Sequence, residues 1–533
     1  MMPTPGENVR GPRWRVLSLM AVQPVLMLVL SLALRTDRGP YWQSRFFDPD
    51  YVYLFSGLTI AKLRVPHHND HPGTTLQVGT GALLRAVDAV DRARGSRAGD
   101  LTSRVIGNPE RYLRLTSDAL LILSALSAFV AGVVALQLAV PLRSVLLSQA
   151  SWLLTPIILS HGIRVSPEAV FPVLLPWVGV LLLWYAQPAA VWTPRVSIYA
   201  AVLVALLVAT KINALPWLAL IVLPDALRER KRFAAAFVTA LAVVLLPIYP
   251  RLLAVLRWIG HLVSHKGRYG SEGPGFIDAA GAAHALADSF AKETALFAAG
   301  LLLIIAFVHQ RRFTRGANDD LARRRGRVLG AAAGAVWGSI AITTKHPAAD
   351  FLPTEHYLLP VSGTLGTLFA LALDHWCPGV ENSSWPKWSI ILIAVLFLHT
   401  AQLRTSEAVG DHQARLHTER LIAGVAAVDP RCVRVYHYRS SSREFALTFA
   451  NDFSANQYSG DIGNLHAGRW LTFDLAGRVG NPRRVYLPVD TLGRLPCLVH
   501  QGSPRDSLPP RNPRRVERLP ESWTQELATV VSP

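Results

Sequence analysis

An α-helical polytopic membrane protein carrying a small C-terminal α/β domain is the fold class predicted by three features of the sequence. Apolar residues make up 51% of the 533, and charged residues only 17%, less than a soluble chain of this length carries. The apolar residues gather into runs long enough to span a hydrocarbon core as helices. After residue 402 no such run occurs, and short strand-like pieces broken by Pro and Gly take over.

The first run, Val16 to Leu34, follows Arg10, Arg13 and Arg15 and superficially resembles a signal peptide. It is too long for a typical signal core and no small-residue cleavage site follows, so a retained first span is expected. Further spans are expected near 119–140, 144–161, 168–186, 196–227, 233–250, 293–309, 328–344, 357–374 and 388–402. Segment 196–227 exceeds one ordinary span and has Lys211, Asn213 and Pro216 at its middle. Two short helices meeting at Thr210-Lys211-Ile212-Asn213 are expected, a break tolerated only where protein or water covers the freed backbone groups. One long tilted helix with a snorkelling lysine is the alternative. The total is about eleven passes.

Short basic loops resist translocation, so Arg228, Arg230, Lys231, Arg232 and the cluster Arg311, Arg312, Arg315, Arg323, Arg324, Arg325, Arg327 are expected to be cytoplasmic. The tail from Leu403 and the loops 35–118, 161–167, 210–214, 251–292 and 345–356 then share the outer face. Loop 35–118 is rich in arginine, but it exceeds the roughly 60-residue limit within which the charge rule operates. Within it, Tyr51, Leu54, Phe55 and Leu58 mark one amphipathic helix, and Leu76, Leu83, Leu84, Val87 and Val90 a second. Both are expected to be interfacial helices along the membrane surface, with 251–263 as a third.

The tail, 403–533, reads as a small mixed α/β domain to about residue 500, with strand-like pieces at 433–436 and 445–449. A Pro- and Arg-rich, poorly ordered end from Pro504 to Pro520 follows. Cys377, Cys432 and Cys497 form no C-x-x-C pair, which excludes a readable metal knuckle or thioredoxin-like site. Cys432 and Cys497 share the tail and are expected to be disulfide-bonded if it faces an oxidising compartment, with two unbonded core cysteines as the alternative.

The net charge of +18 raises nucleic acid as a partner, but the arginines lie mainly at the ends of apolar runs and in the tail. The lipid bilayer, with its anionic headgroups, accounts for them better. No zinc-finger spacing, helix-turn-helix or basic-aromatic ribonucleoprotein motif is present, so no nucleic acid partner is expected.

Chemistry concentrates in the expected outer loops. These hold Asp48-Pro49-Asp50-Tyr51, His67-His68-Asn69-Asp70-His71-Pro72-Gly73, Arg164 and Glu168, Lys211, His265-Lys266-Gly267-Arg268-Tyr269-Gly270, Lys345-His346 and His356-Tyr357. A carboxylate facing several cations suits transfer from a phosphate-linked donor: the cations hold the leaving phosphate and the carboxylate activates an acceptor hydroxyl or amine. No nucleophilic Ser or Cys motif, P-loop or G-x-G-x-x-G junction accompanies them, so a nucleotide donor is unsupported.

Plainer roles compete at each position. Asp50 is also a suitable N-cap for a helix starting at Tyr51, Asp70 and His71 are suitable turn residues before Pro72, and Arg164 and Glu168 have the spacing of a local i, i+4 pair. His265, Arg268 and Tyr269 belong to a Gly-rich loop that reads as a mobile lid or a plain surface loop. Lys211 is hardest to assign a structural role, because an ionisable group in an apolar stretch is expensive. No cofactor is expected. A divalent metal near His67, His68 and His71 is the weaker alternative, with only Asp48 and Asp50 as carboxylate ligands.

The order of these motifs resembles the GT-C superfamily of membrane glycosyltransferases, which includes protein O-mannosyltransferases and lipid A aminoarabinose transferases. The resemblance rests on the acidic pair after the first span with Asp70-His71-Pro72 about twenty residues later, Arg164-x-Ser166-Pro167-Glu168, Thr210-Lys211 before Leu215-Pro216, and His356-Tyr357-Leu358-Leu359-Pro360. It covers most of residues 16–402 and departs from the family where Asp-Glu becomes Asp48-Pro49-Asp50 and His-Pro-Pro becomes His71-Pro72-Gly73. It implies a GT-C-like bundle working as an inverting transferase, with Asp48 as catalytic base, Asp50 as its competitor, and Lys211 as a principal phosphate ligand. The implied partners are a polyprenyl-phosphate-linked sugar donor and an envelope acceptor (lipid, glycan or protein) at the outer face of a bacterial inner membrane. A transporter or flippase of a lipid-linked glycan would want a similar cationic cavity, although such folds usually carry internal repeats and none is read here. A scaffold subunit of an envelope complex is a third reading.

Overall fold

A computed structural model of the protein describes residues 13–43, 47–68, 72–95, 99–266, 273–313, 319–345, 355–376, 387–426, 433–436, 441–466, 470–473, 479–480, 486–487, 498–501 and 528–531. Its first helix, α1 (Arg13–Arg38), turns its apolar side chains outward; Val22, Val25 and Val29 are all exposed, as on a lipid-facing helix. Three helices follow at one end of the bundle: α2 (Phe47–Ala61), α3 (Thr74–Ala93) and α4 (Leu101–Gly107). The chain then descends through α5 (Pro109–Gln137) and returns through a broken pass of α6 (Leu142–Gln149), a 3-10 turn and α7 (Ile157–Gly162).

Helix α8 (Phe171–Tyr185) is followed by α9 (Pro194–Thr210), which stops at Lys211. Lys211 is extended (φ −159°, ψ 134°), and a 3-10 segment, Ile212–Val222, resumes beyond it. Pro216 has no N–H to offer the Ile212 carbonyl, so an α-helix cannot continue through this stretch. The break expected around Lys211 therefore exists, and it is buried in protein. The two arms return to one end, where Ser197 donates to Glu229 (2.8 Å) and Tyr185 donates to the Leu223 carbonyl (3.0 Å).

Next come α10 (Leu227–Leu245), α11 (Leu252–Ser264), α12 (Ala279–Lys292), α13 (Thr294–Phe313) and α14 (Asp320–Lys345). Small residues let these helices approach closely: Ala331, Ala332 and Ala335 of α14 are buried, and Gly338 packs on Pro216. A short 3-10 turn leads into α15 (Leu359–Ser362) and α16 (Leu365–Trp376), which meet at a 43° bend. Helix α16 lies so close to α6 that a Cβ on Gly366 would fall 1.7 Å from the Leu147 carbonyl oxygen. Among the described residues, seven helices are long and apolar enough to cross a membrane, and eight if the bent pair is one span.

The next helix, α17 (Lys387–Ala426), runs through residue 402 without a break, so the boundary expected there falls inside a helix. It leads into α18 (Arg443–Phe453), α19 (Ser459–Leu465) and a six-stranded mixed sheet in the order β4-β3-β2-β1-β5-β6. Its strands are β1 (Val433–Tyr436), β2 (Trp470–Phe473), β3 (Val479–Gly480), β4 (Tyr486–Leu487), β5 (Leu498–Gln501) and β6 (Ala528–Val531). Strand β1 pairs in parallel with β2 and β5; the outer pairings are antiparallel.

Two expectations are corrected. Residues 445–449 are helical, because Ser442 caps α18 by accepting the Phe445 N–H (3.1 Å) and Phe445, Phe449 and Phe453 align at the i, i+4 period. The apolar face of α2 is covered by protein and does not lie on a membrane surface. Tyr51, Leu54, Phe55 and Leu58 share a core with Phe445, Phe449, Tyr458 and Ile462 of the C-terminal domain. Thr59 hydrogen-bonds Tyr458 (2.8 Å) and receives Gln457 (3.0 Å), which fastens the domain to α2. Of the three helices read as interfacial, α11 retains the most open apolar face, with Leu253, Leu256 and Val263 exposed.

Candidate functional site

At the domain end of the bundle, three chain segments contribute buried charges. Asp50 lies in the first turn of α2, where a carboxylate suits the helix dipole. One of its oxygens accepts from Arg164 Nε (3.1 Å) and Nη2 (2.8 Å), and the other from the Val165 backbone N–H (2.5 Å). Arg164 is held just beyond the end of α7, where its N–H bonds the His161 carbonyl (3.1 Å). The chain then extends through Ser166 into a 3-10 turn that carries Glu168.

Glu168 is ion-paired with Lys211 at the break after α9. Lys211 Nζ also stands 4.7 Å from the centroid of the Tyr357 ring, a cation–π contact. Asn213 donates to the Tyr357 carbonyl (2.8 Å) and Trp217 to the Pro360 carbonyl (2.8 Å), tying the broken helix to the turn that opens the late bent pass. His356 stacks near Tyr357 and lies 5.6 Å, centroid to centroid, from His161. The local i, i+4 pair that stood as the plainer alternative for Arg164 and Glu168 does not form; each residue instead reaches a different, distant segment.

Among the described residues, Arg164, Lys211 and Lys345, the cations read as phosphate ligands, each have a partner. Lys345, at the end of α14, donates to the carbonyls of His265 (3.2 Å) and Phe276 and lies over the Phe276 ring (4.8 Å). That ammonium staples the base of the loop after α11, where His265 bridges to Pro274. His265 itself stacks on His261 at 3.7 Å between ring centroids, within the same loop base.

Asp48 lies in the first turn of α2, but its side chain is outside the described residues, as are Asp70, His71, Arg268 and Tyr269 and the expected Cys432–Cys497 pair. The neighbours of that segment are described. His68 packs edge-on between Tyr53 (5.4 Å) and Phe453 (5.0 Å), and its carbonyl accepts from Gln77 (2.7 Å). Arg251 reaches His67 (2.8 Å). Gly73, at φ +60°, fits where a Cβ would collide with Tyr53. His67, His68 and Gly73 are thus each held by contacts, His68 partly by the C-terminal domain. No group of three or more His, Cys, Asp or Glu suited to a metal occurs among the described residues.

Several residues escape sequence reading. Glu110 accepts from the backbone of Tyr41 (3.0 Å) and from the Tyr51 hydroxyl (2.8 Å), which anchors the start of the first loop. Tyr41 donates to the Ile163 carbonyl (3.1 Å); burial, reinforced by the charge of Asp50, raises its phenol above the ordinary range. Arg38 lies within electrostatic reach of Asp50 and Arg164. His161 sits in an apolar run and Arg38 at a helix end, so pattern alone assigns them to packing and to snorkelling.

No family model matches the chain, and neither a curated protein nor a solved structure does.

Proposed function

We propose that this protein is a GT-C-like membrane glycosyltransferase of about eleven passes. It moves a sugar from a polyprenyl-phosphate carrier to an envelope acceptor at the outer face of a bacterial inner membrane. The observation that carries the reading is the meeting of Asp50–Arg164 and Glu168–Lys211 at one end of an apolar bundle. Ionisable groups are expensive there, and their presence marks function. Both pairs lie beside α2–α4 and the C-terminal domain, opposite the arginines of α14, and the positive-inside rule puts those arginines in the cytoplasm. The remaining passes of the eleven are α9, the 3-10 segment after it and the broken α6–α7 pass, none of which is a long apolar helix on its own.

In the transfer, the bond from the sugar C1 to the phosphate oxygen breaks with its electrons passing to phosphate. The acceptor oxygen or nitrogen bonds to C1 from the opposite face and gives its proton to a carboxylate. Asp50 is committed to Arg164 and the Val165 amide, which leaves Asp48 as the base. Purified protein in lipid, given a labelled polyprenyl-phosphate sugar and an envelope extract, should release polyprenyl phosphate; no release from a panel of such donors sinks the reading. Asp48→Asn should lower turnover about 10²- to 10⁴-fold with little effect on stability. Asp50→Asn should act mainly on stability, and the opposite outcome moves the base to Asp50.

A further inference from the structure

Helix α11 turns away from the axis of α10. A 3-10 turn, Leu246–Arg251, joins the two and carries Pro247 and Pro250, which interrupt the α-helical ladder. Arg327 donates to the Leu223 carbonyl (2.9 Å), so α10 and α14 leave the arginine end of the bundle from one level. Leu227 to Leu245 and Arg327 to Lys345 each then rise about 27 Å, close to the roughly 30 Å of a hydrocarbon core. A straight continuation of α10 would carry His265 about 30 Å beyond Lys345. Lys345 Nζ instead bonds the His265 carbonyl (3.2 Å), which brings the far end of α11 back to headgroup depth.

Around its axis α11 has three sectors. Val255 and Leu262 are buried. Leu253, Leu256, Gly260 and Val263 are exposed and fall within about 80° of one another at about 100° per residue. Arg257, His261 and Ser264 are exposed in the adjoining sector. An apolar strip beside a polar one is the pattern of a helix that lies in a membrane interface. Charge along this stretch has one sign: no Asp or Glu occurs between Glu229 and Glu272, while Arg251, Arg257, Lys266 and Arg268 do. Arg251 is engaged by His67 (2.8 Å). The side chains of Arg257 and Lys266 meet no partner among the described residues, in contrast to Arg164, Lys211 and Lys345.

We infer that α11 is a docking helix for anionic phospholipid, with Leu253, Leu256 and Val263 among the acyl chains and Arg257 and Lys266 on the headgroup phosphate. A zwitterionic lipid offers the same acyl chains, but its own cation offsets its phosphate, so two free cations select a headgroup of net negative charge. The docking uses no residue of the Asp50–Arg164 and Glu168–Lys211 pairs and is independent of sugar transfer.

The test uses full-length protein in phosphatidylcholine nanodiscs doped with a photo-crosslinking phosphatidylglycerol, or with a phosphatidylcholine carrying the same reactive group, followed by peptide mapping. The phosphatidylglycerol probe should label 251–266 about fivefold or more above the phosphatidylcholine probe, since one cation at a membrane surface is worth about that factor. Arg257→Gln with Lys266→Gln should bring the two yields together, and high salt should do the same in the wild type. Leu301 and Ile305 of α13, exposed on an uncharged stretch, should be labelled equally by both probes throughout. Equal labelling of 251–266 by the two probes in the wild type, or an excess that the double variant or high salt leaves unchanged, overturns the proposal. Absence of labelling there by either probe, while α13 is labelled, means that protein covers this face in place of lipid, and overturns it as well.

Discussion

The two ends of the bundle use the same residue types in opposite ways. At the domain end the partners are sealed in: the side chains of Lys211 and Glu168 are 4% and 6% exposed, those of Arg164 and Asp50 6% and 2%. At the other end, Asp225 is 71% exposed beside Arg327. There the arginines of α14 act largely on the backbone: Arg324 donates to the Pro188 (3.0 Å) and Ala190 carbonyls, Arg325 to the Ala186 carbonyl (3.2 Å) and Arg327 to the Leu223 carbonyl (2.9 Å). They cap the loops joining neighbouring helices. The difference teaches that charge count says little. A buried pair cannot lose one member without stranding the other in a medium that does not solvate it, whereas an exposed pair relaxes into water.

The largest expected effect follows from that contrast. Lys211→Met leaves Glu168 buried without its counter-charge and should destabilise the protein by about 3–5 kcal/mol, read as a loss of thermal stability in detergent. Adding Glu168→Gln should return much of that stability, because no stranded charge remains. The double variant should still be inactive in sugar transfer. A Lys211→Met protein as stable as the wild type would erase the distinction between the two ends.

The break at Lys211 is legible because Pro216 and two polar residues interrupt an apolar run, and each acts locally. Arg164, Glu168, Lys211 and Tyr357 are legible as candidates on the same grounds. Their partners are not: Arg164 meets a residue 114 positions away, and Lys211 one 43 away, distances over which sequence pattern carries no geometry. The stretch 445–449 reads as a strand from its alternation, while Ser442 and the four-residue spacing of phenylalanines decide for a helix. The apolar face of α2 was visible in its periodicity, but periodicity does not say whether lipid or protein covers it.

Docking of the C-terminal domain gives an effect of intermediate size. Tyr458→Phe removes the hydroxyl that bonds Thr59 and should loosen the domain by about 0.5–1.5 kcal/mol, measured by hydrogen exchange across α18. Burial raises the Tyr458 phenol to about 12, with its hydrogen bond to Thr59 acting the other way. The folded pKa thus exceeds the ordinary value near 10, so the neutral phenol favours docking. Its contribution should be complete below about pH 10 and be lost as pH rises through about 12. Exchange in α18 should accelerate over that window in the wild type more than in Tyr458→Phe. Identical profiles would mean that the domain is held by its aromatic packing alone.

The smallest effect belongs to the arginine end and tests what those arginines do. Asp225→Ala removes a mostly exposed partner of Arg327 and should cost under about 1 kcal/mol, with the loss fading further in high salt. Arg327→Ala removes the same ion pair together with the hydrogen bond to the Leu223 carbonyl, which then faces fewer donors at the turn between the 3-10 segment and α10. It should cost about 1 kcal/mol more than Asp225→Ala, and the excess should survive high salt, because it comes from a short-range backbone contact. Thermal unfolding of both variants at low and high ionic strength separates the two contributions. If both variants lose the same stability and both losses vanish with salt, Arg327 acts as an ion-pair partner only, and the backbone-capping role assigned to this end of the bundle fails.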